Sequence, residues 1–152
     1  MLMRYQTSQT RVGRYSERGQ IYLLTSVTKD RTAFFSNWQV GRLVATQFAA
    51  VEREDWVCSL AWVVMPDHFH WLIELRERTS SEVAARTKSR SNHLVNKAMG
   101  RTGSVWQRGF YDRAIRREED LKAVARYVVL NPVRAGLVRR VGDYPLWDAV
   151  WI

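Results

Sequence analysis

The chain has 152 residues, enough for one domain with a core of ordinary size. Hydrophobic residues make up 46% of it, which excludes a disordered chain, and no apolar run nears the ~20 residues of a membrane-spanning helix. Lys and Arg number 24 against 15 Asp and Glu, a net charge of +9, and Cys58 is the only cysteine, so no internal disulfide can form.

Arginine dominates the positive charge, and its planar fork suits phosphate and stacked bases better than lysine does. Seven tryptophans add large apolar bodies for a core or for stacking. A small, basic, Arg-rich and Trp-rich chain points to a nucleic-acid partner. The first twenty residues lack the apolar stretch of a secretory signal. With the lone cysteine, that sets the expectation of a reduced, cytoplasmic setting.

Residues 1–19 read as a polar, basic arm carrying Arg4, Arg11, Arg14 and Arg18, and residues 20–152 as one domain. Gln20–Thr28, with its Ile, Tyr, Leu and Val, predicts a strand. Ser36–Glu54 predicts a helix, capped by Ser36 or Asn37, with Val40, Leu43, Val44, Gln47, Phe48 and Val51 at helical spacing. Val57–Met65 and the strand from His68 to Leu75 flank a Pro66–Asp67 turn and should pair as a hairpin. Ser80–Gly100 predicts a basic helix with a serine cap and a glycine end. Val105–Arg116 has strand character broken at Gly109. Glu118–Asn131 predicts a helix with an acidic first turn, which suits the helix dipole, and Pro132 is expected to stop it. The order β-α-β-β-α-β-α is that of an α+β, ferredoxin-like antiparallel sheet with helices on one face and an added C-terminal helix. The other face, or the groove beside the last helix, is then open to a ligand.

Alternation along "HFHWLIEL" puts Phe69, Trp71, Ile73 and Leu75 on one face and His68, His70, Leu72 and Glu74 on the other. The first set is a core face. The two histidines project away from it, about 6–7 Å apart at Cα, so their imidazoles can converge on one ion. Asp67 can orient an imidazole or merely make the turn. Glu74 lies about 13 Å along the strand from His70, outside reach of such an ion.

Tyr127 and Asn131 are four residues apart and share a face of the last predicted helix. An amide oxygen is a reasonable ligand for a hard cation, and a phenol one turn earlier is a possible nucleophile toward phosphate. The spacing also suits a packing tyrosine and a routine helix stop before proline. Tyr111, in "RGFYDR", is the rival nucleophile.

Three blocks together, "WVVMPDHFHWLIEL", "VWQRGFYDRAIRREEDL" and "ARYVVLNPVRAGLV", resemble the REP-associated tyrosine transposases of the HUH (His, hydrophobic, His) superfamily. The resemblance spans about Gln20 to Val138. It implies a ferredoxin-like core, a divalent metal (Mg²⁺ or Mn²⁺), and cleavage and rejoining of single-stranded DNA at palindromic repeats through a 5′-phosphotyrosine. By match, His68 and His70 are metal ligands with Phe69 in the hydrophobic slot, Tyr127 is the nucleophile and Asn131 falls at the third, polar ligand. Single-stranded or hairpin DNA is the implied partner, with the protein at the bacterial nucleoid and monomeric.

For DNA contacts, the basic helix offers Arg86, Lys88, Arg90, Lys97 and Arg101, and the segment after it Arg108, Arg113, Arg116 and Arg117. Trp106 and Phe110 could stack on a base or pack in the core. His93, in the basic helix, reads as a surface or DNA-contacting residue rather than a ligand. The competing reading is a ferredoxin-like module that binds nucleic-acid hairpins without cutting them. A two-histidine phosphoesterase would need two His-x-Ser/Thr motifs, and the chain has none.

Overall fold

The computed structural model describes residues 19–151 and the backbone of residues 4–6. Arg11, Arg14 and Arg18 of the expected arm lie outside the described residues. Nine regular elements follow in order: β1 (Arg4–Gln6), β2 (Ile21–Val27), α1 (Trp38–Arg53), β3 (Val57–Met65), β4 (His68–Leu75), α2 (Ser80–Met99), β5 (Phe110–Ile115), α3 (Glu118–Arg134) and β6 (Trp147–Ala149). The six strands form one sheet in the order β1-β5-β2-β4-β3-β6, antiparallel throughout. Its inner four strands have the split βαβ order expected for a ferredoxin-like fold. The short strands β1 and β6 cover edges that would otherwise carry unpaired backbone groups.

The β3–β4 hairpin turns through Pro66–Asp67, with Met65 opposite His68 and Trp62 opposite Trp71. The register shifts between Ser59 and Ala61, where β3 holds one extra residue. The face carrying Phe69 and Trp71 meets α1. Phe48 on α1 lies 5.1 Å from the Phe69 ring, 4.4 Å from Trp71 and 5.5 Å from Trp62. Val40, Val44, Phe48 and Val51 form the buried stripe of α1, as the spacing predicts. The cap is Asn37, whose side chain accepts from the Gln39 N–H at 3.0 Å and the Val40 N–H at 3.4 Å.

Three local expectations need correction. The cap of α2 is Thr79, in a capping box with Glu82, while Ser80 is buried and donates to Asp112 at 3.3 Å. Only Phe110–Ile115 is strand in the 105–116 segment; Trp106 contributes a single bridge to Thr28. Of the two alternatives for Trp106 and Phe110, core packing holds, since both are buried. Finally, Pro132 does not stop α3, which runs to Arg134. The proline forfeits one helical N–H bond close to the helix end, where its ring is buried. The Ala135 and Leu137 N–H groups then donate to the Asn131 and Pro132 carbonyls, and Gly136, at φ 76°, ends the helix.

The second face of the sheet is not left open. Helix α3 packs across β3, β4 and β5 through Val124, Ala125, Val128, Val129 and Pro132. The histidine face is therefore covered along part of its length, and the rim of that cover carries Tyr127.

Candidate active site

His68 and His70 share the α3 side of β4, opposite Val27 and Thr25 of β2. Their ring centroids are 4.9 Å apart. The Tyr127 ring stands 5.4 Å from His70, edge to face. These three rings, with Thr25, Val27, Arg31, Tyr111 and Asn131, line one open cavity of about 370 Å³. Three long-range placements produce it: the β2–β4 register, the β5 register that sets Tyr111 opposite Thr25, and the seat of α3.

Both imidazoles are held by the same ring nitrogen. Asp67 Oδ1 lies 2.7 Å from His68 Nδ1, and a carboxylate can only accept, so that nitrogen bears the hydrogen. Thr25 Oγ1 lies 2.6 Å from His70 Nδ1 in a buried contact. With Thr25 accepting, Nε2 of each ring keeps its lone pair. Burial, helped by the neighbouring His68, pushes His70 down to about 3. Burial also lowers His68, against the pull of Asp67. Both rings are neutral at pH 7, the form that binds metals.

Asn131 follows Tyr127 by one turn, as its spacing predicts, because α3 continues through it. Its Nδ2 is buried and has no hydrogen-bond partner among the described residues. Such an orphan is costly unless something else fills the position. Tyr127 is 40% exposed, so it is reachable from solvent. Arg134, two turns on, lays its guanidinium 4.6 Å from the Tyr127 ring centre and donates to the Tyr127 carbonyl at 2.8 Å. Tyr111 lines the same cavity from the sheet side.

The basic residues expected to meet DNA divide by their present partners. Arg86 and Arg90 both pair with Glu54 beyond the end of α1, and Arg86 also stacks on Trp56. Lys88 Nζ donates to the Gln107 and Gly109 carbonyls at 2.8 and 2.5 Å, tying α2 to the segment before β5. Arg101 bonds Asn96 at 2.6 Å and lies over Phe34. Arg113 is on the Tyr111 face of β5, and burial lowers its pKa. Lys97, Arg108, Arg116 and Arg117 are exposed, as is His93. Glu74 pairs with Arg76 at 2.6 Å, away from the histidine pair.

The sequence profile of the family described as "Transposase IS200 like" matches residues 18–131, a span that holds both histidines, Tyr127 and Asn131. The chain belongs to that family. It is 33% identical over 132 residues to the REP-associated tyrosine transposase of Escherichia coli, covering 87% of this chain and 78% of that one. A solved REP-associated tyrosine transposase bound to a REP hairpin superposes with a TM-score of 0.73 at 26% identity, covering 88% of this chain and 79% of that one. The protein is thus a DNA transposase by family, with the ferredoxin-like fold of its relatives. No helix among the described residues is long and apolar enough to cross a membrane.

The family is generally metal-dependent. No cluster of three His, Cys, Asp or Glu side chains suited to a metal occurs among the described residues. The transposase offers two imidazole Nε2 lone pairs and, in the same cavity, an amide with one buried, unpartnered end. An amide exchanges its oxygen and nitrogen by a half-turn. Two imidazoles and an amide oxygen fit a first-row divalent ion.

Two residues of the cavity, Thr25 and Arg31, and one beside it, Arg134, escaped the sequence reading. Thr25 is ordinary within its strand and acquires meaning only through its register with His70. Arg134 lay beyond the expected helix end, although seven residues after Tyr127 is two turns on the same face. Arg31 comes from a turn whose conformation no local pattern announces.

Proposed function

We propose that this transposase cuts and rejoins single-stranded DNA at palindromic, REP-type repeats, with Tyr127 as nucleophile. The observation that carries the reading is the placement of the Tyr127 ring against His70, in one cavity with His68 and Asn131. The hairpin in the related structure favours hairpin DNA as the substrate.

A divalent ion, Mg²⁺ or Mn²⁺, would be held by His68, His70 and Asn131, and when bound it draws charge off the oxygens of the scissile phosphate. Asp67 and Thr25 fix the two imidazoles in the ligating tautomer. Arg134 holds the Tyr127 ring at the rim. Tyr127 Oη attacks phosphorus in line: the Oη–P bond forms, the P–O3′ bond breaks, and a 5′-phosphotyrosine and a 3′-hydroxyl result. The phenol gives up its proton and the departing 3′ oxygen takes one up. Attack by a 3′-hydroxyl reverses the step, so cutting and strand transfer use one site. Lys97, Arg116 and Arg117, exposed around the body, are the first choices for phosphate contacts, with Arg108 exposed beside them, Arg113 on the Tyr111 face of β5, and Arg86, Lys88, Arg90 and Arg101 available on exchange of their present partners. The protein would act as a monomer on bacterial cytoplasmic DNA at the nucleoid.

Tyr111 supports a second reading, because it reaches the same cavity from β5. One assay separates the two. Hairpin DNA from repeats neighbouring the gene is incubated with Mn²⁺ or Mg²⁺ and run on a denaturing gel. An adduct that disappears in Tyr127→Phe and with chelator supports the first reading. Loss only in Tyr111→Phe transfers the nucleophile to β5. A tight complex without adduct, under either ion, makes the protein a hairpin-binding module.

A further inference from the structure

Helix α3 presents three faces. Val124, Val128 and Pro132 pack on the sheet. Tyr127 and Asn131 line the histidine cavity on one flank. Lys122, Ala125, Arg126 and Val129, at spacing i, i+3, i+4 and i+7, form the other. Helical periodicity sets the two flanks on opposite sides of the packed face.

The second flank borders an open groove of about 470 Å³, whose far wall is Ala149 of β6 and Trp151. Its floor is aliphatic, with Ala125 and Val129 each 8% exposed. Trp151 is 50% exposed and its neighbour Val150 61%. Apolar surface gathered in a groove marks an interaction site, whereas exposed hydrophobes scattered singly need no partner.

The charge around the groove limits its occupant. Lys122 and Arg126 stand one turn apart on its α3 side, both exposed. Neither side chain forms an ion pair among the described residues, not even with Glu118, Glu119 or Asp120 in the first turn of the same helix. No carboxylate lines the groove. Asp148 alternates to the other side of β6, where it faces α1. Arg76, Arg78, Arg86 and Arg90, by contrast, each have a carboxylate partner. An apolar floor under two unmatched cations is complementary to an acidic segment with an apolar anchor.

We propose that this groove docks a short acidic tail of a partner protein. Its carboxylates meet Lys122 and Arg126, and one aromatic or aliphatic side chain fills the floor between α3 and Trp151. From Lys122 to Val129 the helix advances about 10 Å, the reach of three or four extended residues, so a tail fits and a long helix does not. A nucleic-acid strand is the poorer match, because the aliphatic floor offers no hydrogen bonds to sugar or base. Docking on this flank leaves Tyr127 and the histidines uncovered, so the partner and DNA are held together. The proposal is independent of the cleavage chemistry.

The probe for the test is a fluorescein-labelled peptide of three aspartates followed by Leu-Phe, read by anisotropy against the full chain. Its binding should weaken as salt rises. Replacing the aspartates by serines, or Leu-Phe by two serines, should each cost about tenfold or more in affinity. Lys122→Glu combined with Arg126→Glu should lose about as much. So should Ala125→Leu, which fills the floor and leaves the charge alone. The charge-reversed protein should keep the parent's melting temperature, and its hairpin affinity within about threefold at about 0.15 M salt. A saturating repeat hairpin should not displace the peptide.

The proposal is overturned if both groove variants keep the peptide affinity. It also fails if the peptide without Leu-Phe binds as well as the probe, since attraction to the net positive charge then suffices. Displacement by hairpin DNA, with an equal loss of hairpin binding on charge reversal, would give the groove to DNA. A dimer in sedimentation that Arg126→Glu breaks would give it to a second copy.

Discussion

Thr25 Oγ1 lies 2.6 Å from Nδ1 of His70, a buried contact across adjacent strands forty-five residues apart in sequence. It decides which imidazole nitrogen faces the cavity. Thr25→Val keeps the shape and removes the partner, leaving a buried ring nitrogen unpaired. The expected loss is about 10–100-fold in apparent affinity for the activating ion, the usual effect of a lost supporting bond. Stability should fall by about 1–3 kcal/mol. Titration of cleavage against Mn²⁺, with a urea unfolding curve on the same preparation, measures both. Unchanged ion dependence would mean that His70 is not a ligand.

Tyr127→Phe separates chemistry from structure. Its ring contacts with His70 and Arg134 survive the change, and only the hydroxyl is removed from a half-exposed side chain. Stability should stay within about 0.5 kcal/mol of the parent while adduct formation disappears. Retained adduct would move attention to Tyr111.

The ligand set also ranks the ions. Two imidazoles are a poor match for Mg²⁺, which prefers oxygen donors, and a better one for Mn²⁺. At equal low concentration Mn²⁺ should give faster single-turnover cleavage than Mg²⁺, by about tenfold, and excess chelator should abolish both. Equal rates would argue that oxygen donors dominate the site.

Much of this was legible in the chain. The hairpin could be read because apolar alternation and a Pro-Asp turn are local, and local alternation also separates His68 and His70 from the core face. Tyr127 and Asn131 could be paired because four residues are one helical turn. The partners that tune the site could not be read. Thr25 meets His70 through a strand pairing between distant segments, and Arg31 depends on a left-handed turn that its residue types do not favour. Arg134 was hidden by Pro132, since a proline ordinarily ends a helix and here its burial near the last turn outweighs one missing hydrogen bond. The open sheet face expected beside the histidines is covered because α3 has an apolar stripe of its own to bury.

Gly41 on α1 is a close approach that composition does not announce. A Cβ built there would sit 2.6 Å from Leu146 Cδ1 and 3.3 Å from Phe35 Cβ. Leu146 and Phe35 are fully buried, so neither can swing into solvent. Gly41→Ala should destabilise by about 1–3 kcal/mol despite its better helix propensity, because overpacking exceeds the propensity gain of about 1 kcal/mol. An unfolding midpoint equal to or above the parent's would show that the tail carrying Leu146 yields easily.

Glu54, just past α1, makes the last prediction. Arg86 and Arg90 of α2 both bond its carboxylate and hold it down to about 2, well below the ordinary carboxylate range. In the unfolded chain the group titrates near 4.5. Between these values the unfolded state binds the proton and the folded state does not, so stability rises with pH across that window. The contribution is complete above about 4.5 and is lost as pH falls through about 2. Glu54→Gln removes it, and should lower the melting temperature at pH 7 while converging with the parent near pH 2. Added salt should narrow the pH 7 difference, since the groups are partly exposed. Melting curves from pH 2 to 7 at two salt concentrations make the comparison. A constant offset across that range would mean that α2 is held against α1 by packing, such as that of Arg86 on Trp56, rather than through this charge.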